Sequence, residues 1–159
     1  MKPLVQAFAR FVAFRFFAYY LLTFAVLLTG NYAFYWIMPA SFWVSYTEVR
    51  VADTSLADGI IQFRSERNIR RESNLGGLDV LFCDLNGDGE FGHFSSAPWR
   101  GDSTNPTDGK EISGPWAYQG AVPAPGTGCL LRAAVTIRLP YGITKQLEPV
   151  YSDDFTITQ

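Results

Sequence analysis

Acidic and amide side chains alternate in residues 84–92, and this segment is the clearest chemical motif in the sequence. Asp84, Asn86 and Asp88, followed by Gly89, match the first, third, fifth and sixth positions of a calcium-binding loop. Short oxygen-bearing side chains at alternate positions converge on one hard cation, and glycine permits the sharp bend. The calcium ligands predicted from this pattern are Asp84, Asn86, Asp88 and Glu90.

A tight turn is the alternative explanation for the same residues. The twelfth position of a calcium loop supplies a bidentate carboxylate, but here it is Ser95, and no helix is predicted on either side. The Asn-Gly and Asp-Gly pairs at residues 86–87 and 88–89 are strong turn formers. The sequence therefore favours a turn, and calcium is the one cofactor that it suggests.

The two cysteines, Cys83 and Cys129, each lie at one end of a predicted strand. Two thiols in one small domain are most simply paired as a disulfide if the domain is exported, because compartments outside the cytoplasm are oxidising. Closing this loop would stabilise the domain by roughly 3–4 kcal/mol in the chain-entropy model. Two buried free thiols are the alternative.

Residues 86–128 are predicted as one long connection, since they hold nine of the 14 glycines and five of the nine prolines. Tryptophan and tyrosine favour buried contact surfaces, so the aromatic residues of this connection are interpreted as a partner-binding surface. In the alternative interpretation, the rings close the end of the domain and the segment contains short edge strands. The residues assigned to partner binding are Phe91, Phe94, Trp99, Trp116 and Tyr118.

Catalysis has little support in the sequence. His93 is the only histidine, and no recognisable nucleophile setting accompanies it. HExxH, CxxC, glycine-rich phosphate-binding and paired-carboxylate motifs are all absent. We therefore expect no enzyme, and an envelope hydrolase is the last of the functional hypotheses.

Strands are predicted from alternating hydrophobicity. Residues 129–139 place Cys, Leu, Ala, Val, Ile and Leu on one face, which is typical of a half-buried antiparallel strand. Residues 140–142 are predicted as the turn that joins this strand to the last one. The other predicted strands are Val44–Val51, Gly59–Arg67, Leu78–Asp84 and Pro149–Thr158. Together they predict an all-β antiparallel sandwich of about seven short strands.

A cystine that joins two strands of such a sandwich resembles the arrangement in immunoglobulin-type domains. The resemblance implies an immunoglobulin-like fold. It does not extend to the tyrosine corner, because Thr127 stands two positions before Cys129.

The strongest prediction of location comes from residues 16–38, which contain no Asp, Glu, Lys or Arg. A helix of this length reaches across roughly 30 Å of hydrocarbon, so it is predicted as a transmembrane signal anchor. A cleaved signal peptide is the alternative, but its apolar core would be shorter and would end at a small-x-small site. The predicted organisation is a basic cytoplasmic arm at 1–15, the span at 16–38, an interfacial linker at 39–43 and the β domain at 44–159.

The flanking charges predict the orientation. Lys2, Arg10 and Arg15 precede the span without any acidic residue, so the N-terminus is expected in the cytoplasm. The β domain would then lie in the periplasm, with the helix in the inner membrane.

Charge also narrows the choice of partner. Beyond residue 40 there are 10 basic and 15 acidic residues. A domain with this net negative charge is poorly suited to bind nucleic acid, because it repels the phosphate backbone. The expected partners are the lipid bilayer and other membrane or envelope proteins. The leading hypothesis is an accessory or assembly subunit of such a complex, or a membrane protein of a phage or other mobile element, and a calcium- or ligand-binding periplasmic module is the alternative.

Overall fold

A computed structural model describes residues 2–53 and 61–158, which form two compact units divided after Met38. The first unit is one helix, α1, at Lys2–Ile37. Residues predicted as a basic arm therefore belong to the same helix as the apolar segment. Thr23 and Thr29 donate their hydroxyl protons to the carbonyls of Tyr19 and Ala25, which satisfies two polar side chains inside an apolar helix.

Within α1, Val12–Ile37 is long and apolar enough to cross a membrane, and no part of its most apolar stretch is buried. The predicted span began four residues later and ended one residue later. A signal sequence near an N-terminus has the same length and composition. The helix could thus anchor the chain in a membrane or direct its export.

The second unit is built mainly from antiparallel strands, in agreement with the predicted β-rich domain. Short 3-10 helices occupy Ala40–Phe42 and Pro140–Gly142. The strands are β1 at Val44–Asp53, β2 at Gln62–Ile69, β3 at Ser73–Asp84, β4 at Gly92–Thr104, β5 at Glu111–Ala117, β6 at Gly128–Arg138, β7 at Thr144–Gln146, β8 at Val150–Tyr151 and β9 at Phe155–Thr156.

These strands form two sheets. The first has the order β1-β2-β5, and the second has the order β4-β3-β6-β7, with β8 and β9 also pairing with β6. In the part of the chain that the structure describes, β4 and β5 are therefore each the outermost strand of their sheet. This edge position matters for the site described below.

One hydrophobic core is shared by both sheets. Val49 and Phe63 of the first sheet pack in the same buried cluster as Leu81 and Leu131 of the second. The prediction for β6 is confirmed, because the core-facing residues named by its alternation are all buried: Cys129, Leu131, Ala133, Val135, Ile137 and Leu139. Alternation of this kind arises because successive side chains of a strand point to opposite faces.

The other strand predictions are confirmed in part. β1 contains the predicted Val44–Val51, and β3 contains Leu78–Asp84 but begins five residues earlier. β2 overlaps the predicted Gly59–Arg67, of which residues 59 and 60 lie outside the described part of the chain.

Two connections were predicted wrongly. Residues 86–128 are not one long loop, because they contain β4 and β5, as the alternative interpretation had proposed. The predicted strand Pro149–Thr158 is divided into β8 and β9, and the turn at 140–142 leads into β7 instead. Strands as short as β7, β8 and β9 give too few alternating positions for a pattern to be recognised.

The disulfide between Cys83 and Cys129 is present and buried. The two residues are direct partners in the β3–β6 register, with their Cα atoms 4.1 Å apart. The bond therefore joins neighbouring strands of one sheet, whereas the immunoglobulin cystine joins the two sheets.

Candidate functional site

A cavity of about 510 Å³ lies where residues of β1, β2 and β5 face residues of β3 and β4. Its volume is within the usual range for ligand pockets. Both edge strands, β4 and β5, contribute to its wall, so the cavity lies along one side of the two-sheet unit. Phe63 and Leu75 give it a buried apolar lining.

Asp79 is the one acidic residue among the described residues that line the cavity, and it is almost completely buried. The indole Nε1–H of Trp99 donates a hydrogen bond of 3.2 Å to its Oδ1 atom. Burial raises the pKa of this carboxyl to about 6, and the Trp99 hydrogen bond opposes that rise only in part. A charge in this environment is costly unless it is paired.

Two glycines of β3 create the space that Trp99 occupies. Gly77 pairs with Trp99 across the strands, and a Cβ atom at Gly77 would be 2.8 Å from the indole ring and in conflict with the carbonyl oxygen of Ala134. A Cβ atom at Gly76 would be 3.3 Å from the carbonyl oxygen of Trp99. The glycines therefore allow the ring to lie against β3, next to Asp79.

Other residues of the cavity wall are more exposed than Asp79. Trp116 is 47% exposed, and Gln119 is also exposed. Arg67 lines the wall and its Nε donates to Oε1 of Glu111 at 2.8 Å, so its charge is compensated within the chain. Arg100 is a second basic residue of the wall and is exposed to solvent.

Tyr46 adds a phenol to the same wall. Desolvation raises the pKa of this hydroxyl, and the negative charge of Asp79 raises it further. Tyr46 is therefore a neutral hydroxyl at physiological pH. The cavity thus combines four aromatic rings with one buried carboxyl, and those rings belong to Tyr46, Phe63, Trp99 and Trp116.

The residues assigned to partner binding fall into different environments. Trp99 and Trp116 both line the cavity. Tyr118 is buried in the core, where its hydroxyl is 2.8 Å from Oγ of Ser95, and Phe94 packs against that core. Phe91 is half-buried just before β4. Only two of the five are therefore brought together at one cavity.

The Asp84 loop has the geometry of a turn held by a carboxylate. Oδ1 of Asp84 accepts the backbone N–H groups of Gly87 and Asp88 at 2.7 and 3.2 Å, and Oδ2 accepts that of Gly89 at 2.9 Å. The Gly89 hydrogen bond is the main reason that the pKa of Asp84 is lowered. Gly87 and Gly89 have φ values of 72° and 85°, which glycine adopts without strain.

The remaining calcium candidates contribute little to a shared site. Asp88 Oδ1 accepts the backbone N–H of Glu90 at 2.9 Å. Within residues 2–53 and 61–158, no three His, Cys, Asp or Glu side chains gather in a group that could hold a metal ion. Calcium binding by Asp84, Asn86, Asp88 and Glu90 stays a prediction.

His93 has a partner that the sequence analysis missed. Its Nε2 atom is 2.8 Å from Oγ of Ser96, three residues along β4. Both residues are exposed to solvent. The contact orients the imidazole on the strand.

Sequence reasoning also missed Asp79, Tyr46 and Gly77. The usable signal was a charged residue inside the apolar run Leu78–Leu81, since a carboxylate at a core position needs a specific reason. The Gly-Gly pair at residues 76–77 was a second signal, because glycine within a strand often marks a close approach.

Comparison with other proteins adds no relative: no protein-family model, curated protein or solved structure matches this chain.

Proposed function

We propose that the chain is a single-pass protein of the inner membrane, with its N-terminus in the cytoplasm and its β domain in the periplasm. The observation that carries this proposal is the exposure of α1, where most of the large apolar side chains described from Phe14 to Ile37 are more than half exposed, among them Phe16, Leu22 and Leu27. A helix that is apolar on every side is stable in lipid and unfavourable in water. The basic residues Lys2, Arg10 and Arg15 favour the stated orientation.

Within that arrangement, the β domain recognises another membrane or envelope protein as an accessory or assembly subunit. A membrane protein of a phage or other mobile element would fit the same description. Support comes from the side formed by β4 and β5, where the cavity opens beside Trp116. Ile112, also on β5, is 75% exposed. Pro115 removes one N–H from this edge strand, so we expect side-chain contacts to dominate over continuous strand addition.

We interpret the two sheets as an antiparallel sandwich of the immunoglobulin-like kind. The shared core of Val49, Phe63, Leu81 and Leu131 supports this interpretation. The position of the cystine within one sheet distinguishes this domain from antibody domains.

Topology is tested by fusing alkaline phosphatase or green fluorescent protein after Gln159. We expect an active phosphatase and a dark fluorescent protein, since the phosphatase folds outside the cytoplasm and the fluorescent protein inside. The chain should also resist alkaline carbonate extraction and retain Met1. A charge-reversed control, with glutamate replacing Lys2, Arg10 and Arg15, should lose the preference for a cytoplasmic N-terminus. Bright cytoplasmic fluorescence from the unaltered chain, or a mature N-terminus created by cleavage near Ala40, would refute the proposal.

Partner binding is tested by photo-cross-linking in intact membranes. A photoreactive phenylalanine at Trp116 should capture one defined protein, and the same group at Tyr141 should not. Tyr141 is a suitable control because it is an aromatic residue of similar exposure, 54% against 47%. Identical products from the two positions, or none from Trp116, would contradict the proposed contact surface.

A further inference from the structure

In the part of the chain that the structure describes, no basic side chain forms an ion pair with the carboxyl of Asp79. It is only 6% exposed, and its described hydrogen bond comes from a neutral indole. Among residues 2–53 and 61–158, the ion pairs Arg50–Glu48, Arg67–Glu111 and Lys110–Glu66 use other carboxylates. Buried ionised carboxyls are normally paired or bound to a cation. The described contacts within the domain therefore leave the charge of Asp79 uncompensated.

The rings around Asp79 favour a positive charge as well. Aromatic rings carry negative potential on their faces, and cations within about 6 Å of a ring centre are attracted to it. Trp99 and Trp116 contribute indoles, which are the most favourable rings for this interaction. Tyr46 and Phe63 enlarge the aromatic lining.

Basic residues at the wall do not reverse this preference. Arg67 is paired with Glu111 at 2.8 Å. Arg100 is exposed, so water and salt screen its charge, whereas the charge of the buried Asp79 is screened much less. In the buried part of the cavity, the electrostatic potential is therefore determined mainly by the Asp79 carboxylate and the aromatic rings.

We propose that the cavity receives the ammonium group of a lysine side chain of the partner protein, with the ammonium placed between the Asp79 carboxylate and the tryptophan rings. This inference rests on the proposed recognition function and specifies its chemistry. The lysine methylenes would contact Phe63 and Leu75, which line the buried part of the cavity.

The test uses the full chain in nonionic detergent and follows the indole N–H resonance of Trp99 during titration. The probe is N-acetyl-lysine methylamide, compared with N-acetyl-norleucine methylamide, which lacks the amine. We expect the lysine probe to shift this resonance and to bind at least about tenfold more tightly than the norleucine probe, because only the ammonium can pair with the carboxylate.

Asp79→Asn should weaken binding of the lysine probe at least about tenfold by removing the charge without changing the shape. Trp116→Ala is a second variant at a half-exposed position, which tolerates truncation, and should weaken binding several-fold. Asp154→Asn and Tyr141→Ala are matched exposed controls and should leave the affinity unchanged. Near-ultraviolet circular dichroism verifies that each variant is folded.

Lowering the pH from 7.5 to 5 should also weaken binding, because Asp79, with a pKa of about 6, takes up a proton. The other charged or titratable groups described at the wall are Arg67, Arg100 and Tyr46. Desolvation raises the pKa of Tyr46 further above this range, so it stays neutral.

Equal binding of the norleucine probe, or unchanged lysine affinity in Asp79→Asn, would overturn the inference. So would tighter binding of N-acetyl-glutamate methylamide, which would assign the site to Arg100. Binding of tetramethylammonium without any binding of the lysine probe would assign the cavity to small free cations. A failed titration alongside a successful cross-link at Trp116 would leave the recognition function standing and remove only its lysine chemistry. A successful titration without a cross-link would leave the cation site standing and contradict the proposed contact with a partner protein.

Discussion

Replacing Asp79 by asparagine should stabilise the β domain at neutral pH and change it little at pH 4. The pKa of this carboxyl is 3.8 in the unfolded chain and about 6 in the folded domain. The folded state therefore binds more protons between these values, and its stability falls as the pH rises through that window. The difference corresponds to about 3 kcal/mol of unfolding free energy above pH 6.

Asparagine removes this cost and keeps an oxygen for the indole of Trp99. Its amide N–H groups have no assigned partner in the cavity, which offsets part of the gain. The expected net stabilisation at pH 7.5, without ligand, is therefore about 1–2 kcal/mol.

The assay is urea denaturation of the full chain in nonionic detergent, followed by tryptophan fluorescence at several pH values from 4 to 7.5. The quantity compared is the unfolding free energy of Asp79→Asn minus that of the unaltered chain, since other carboxyls then cancel. This difference should rise with pH and level off above about 6. Asp154→Asn, at an exposed carboxyl, is the control and should give a flat profile. A flat or falling profile for Asp79→Asn would refute the idea that this carboxyl is buried without a counter-charge.

Three further predictions concern the cystine, the glycine beneath Trp99 and the Asp84 loop. Replacing both Cys83 and Cys129 by alanine should lower the unfolding free energy by about 4 kcal/mol, measured by urea denaturation, because the bond closes a separation of 46 residues; an unchanged midpoint would contradict this. Gly77→Ala should cost about 1–3 kcal/mol by overpacking against the Ala134 carbonyl oxygen and Trp99, whereas Gly92→Ala, whose Cβ would meet only the Cys83 carbonyl oxygen at 4.0 Å, should cost little. Acidification should loosen the loop, because Asp84 loses the charge that holds its backbone N–H groups. The loop amides should then show lower protection factors, that is, less slowing of exchange relative to the intrinsic rate at the same pH. Calcium that shifts the same amides at neutral pH would show that the loop binds metal after all.

The sequence predicted those parts of the fold that have a strong local pattern. The alternation of β6 identified its buried face, and the uncharged run in α1 identified the long apolar helix. Each signal is repeated over ten or more residues, so chance deviations at single positions matter little.

The cavity lay beyond this kind of reasoning. Asp79, Phe63 and Trp116 come from three strands that are separated in sequence, and their proximity depends on which sheet edges lie together. β4 was also hidden, because Pro98, Gly101 and several serines interrupt its apolar alternation. Turn-forming residues are usually evidence for a loop, but an edge strand accepts them on the side where no neighbour requires hydrogen bonds.

Because Cys83 and Cys129 face each other on β3 and β6, their bond also fixes the alignment of the two central strands. A slide by one residue would turn every side chain of β3 to the opposite surface, exposing Leu81 and withdrawing Asp79 from the cavity. Newly made chains in a reducing cytosol would lack this constraint until they reach an oxidising compartment. If the chain is exported as proposed, maturation of the cavity would follow export, and the form able to bind the proposed lysine would arise only on the far side of the membrane.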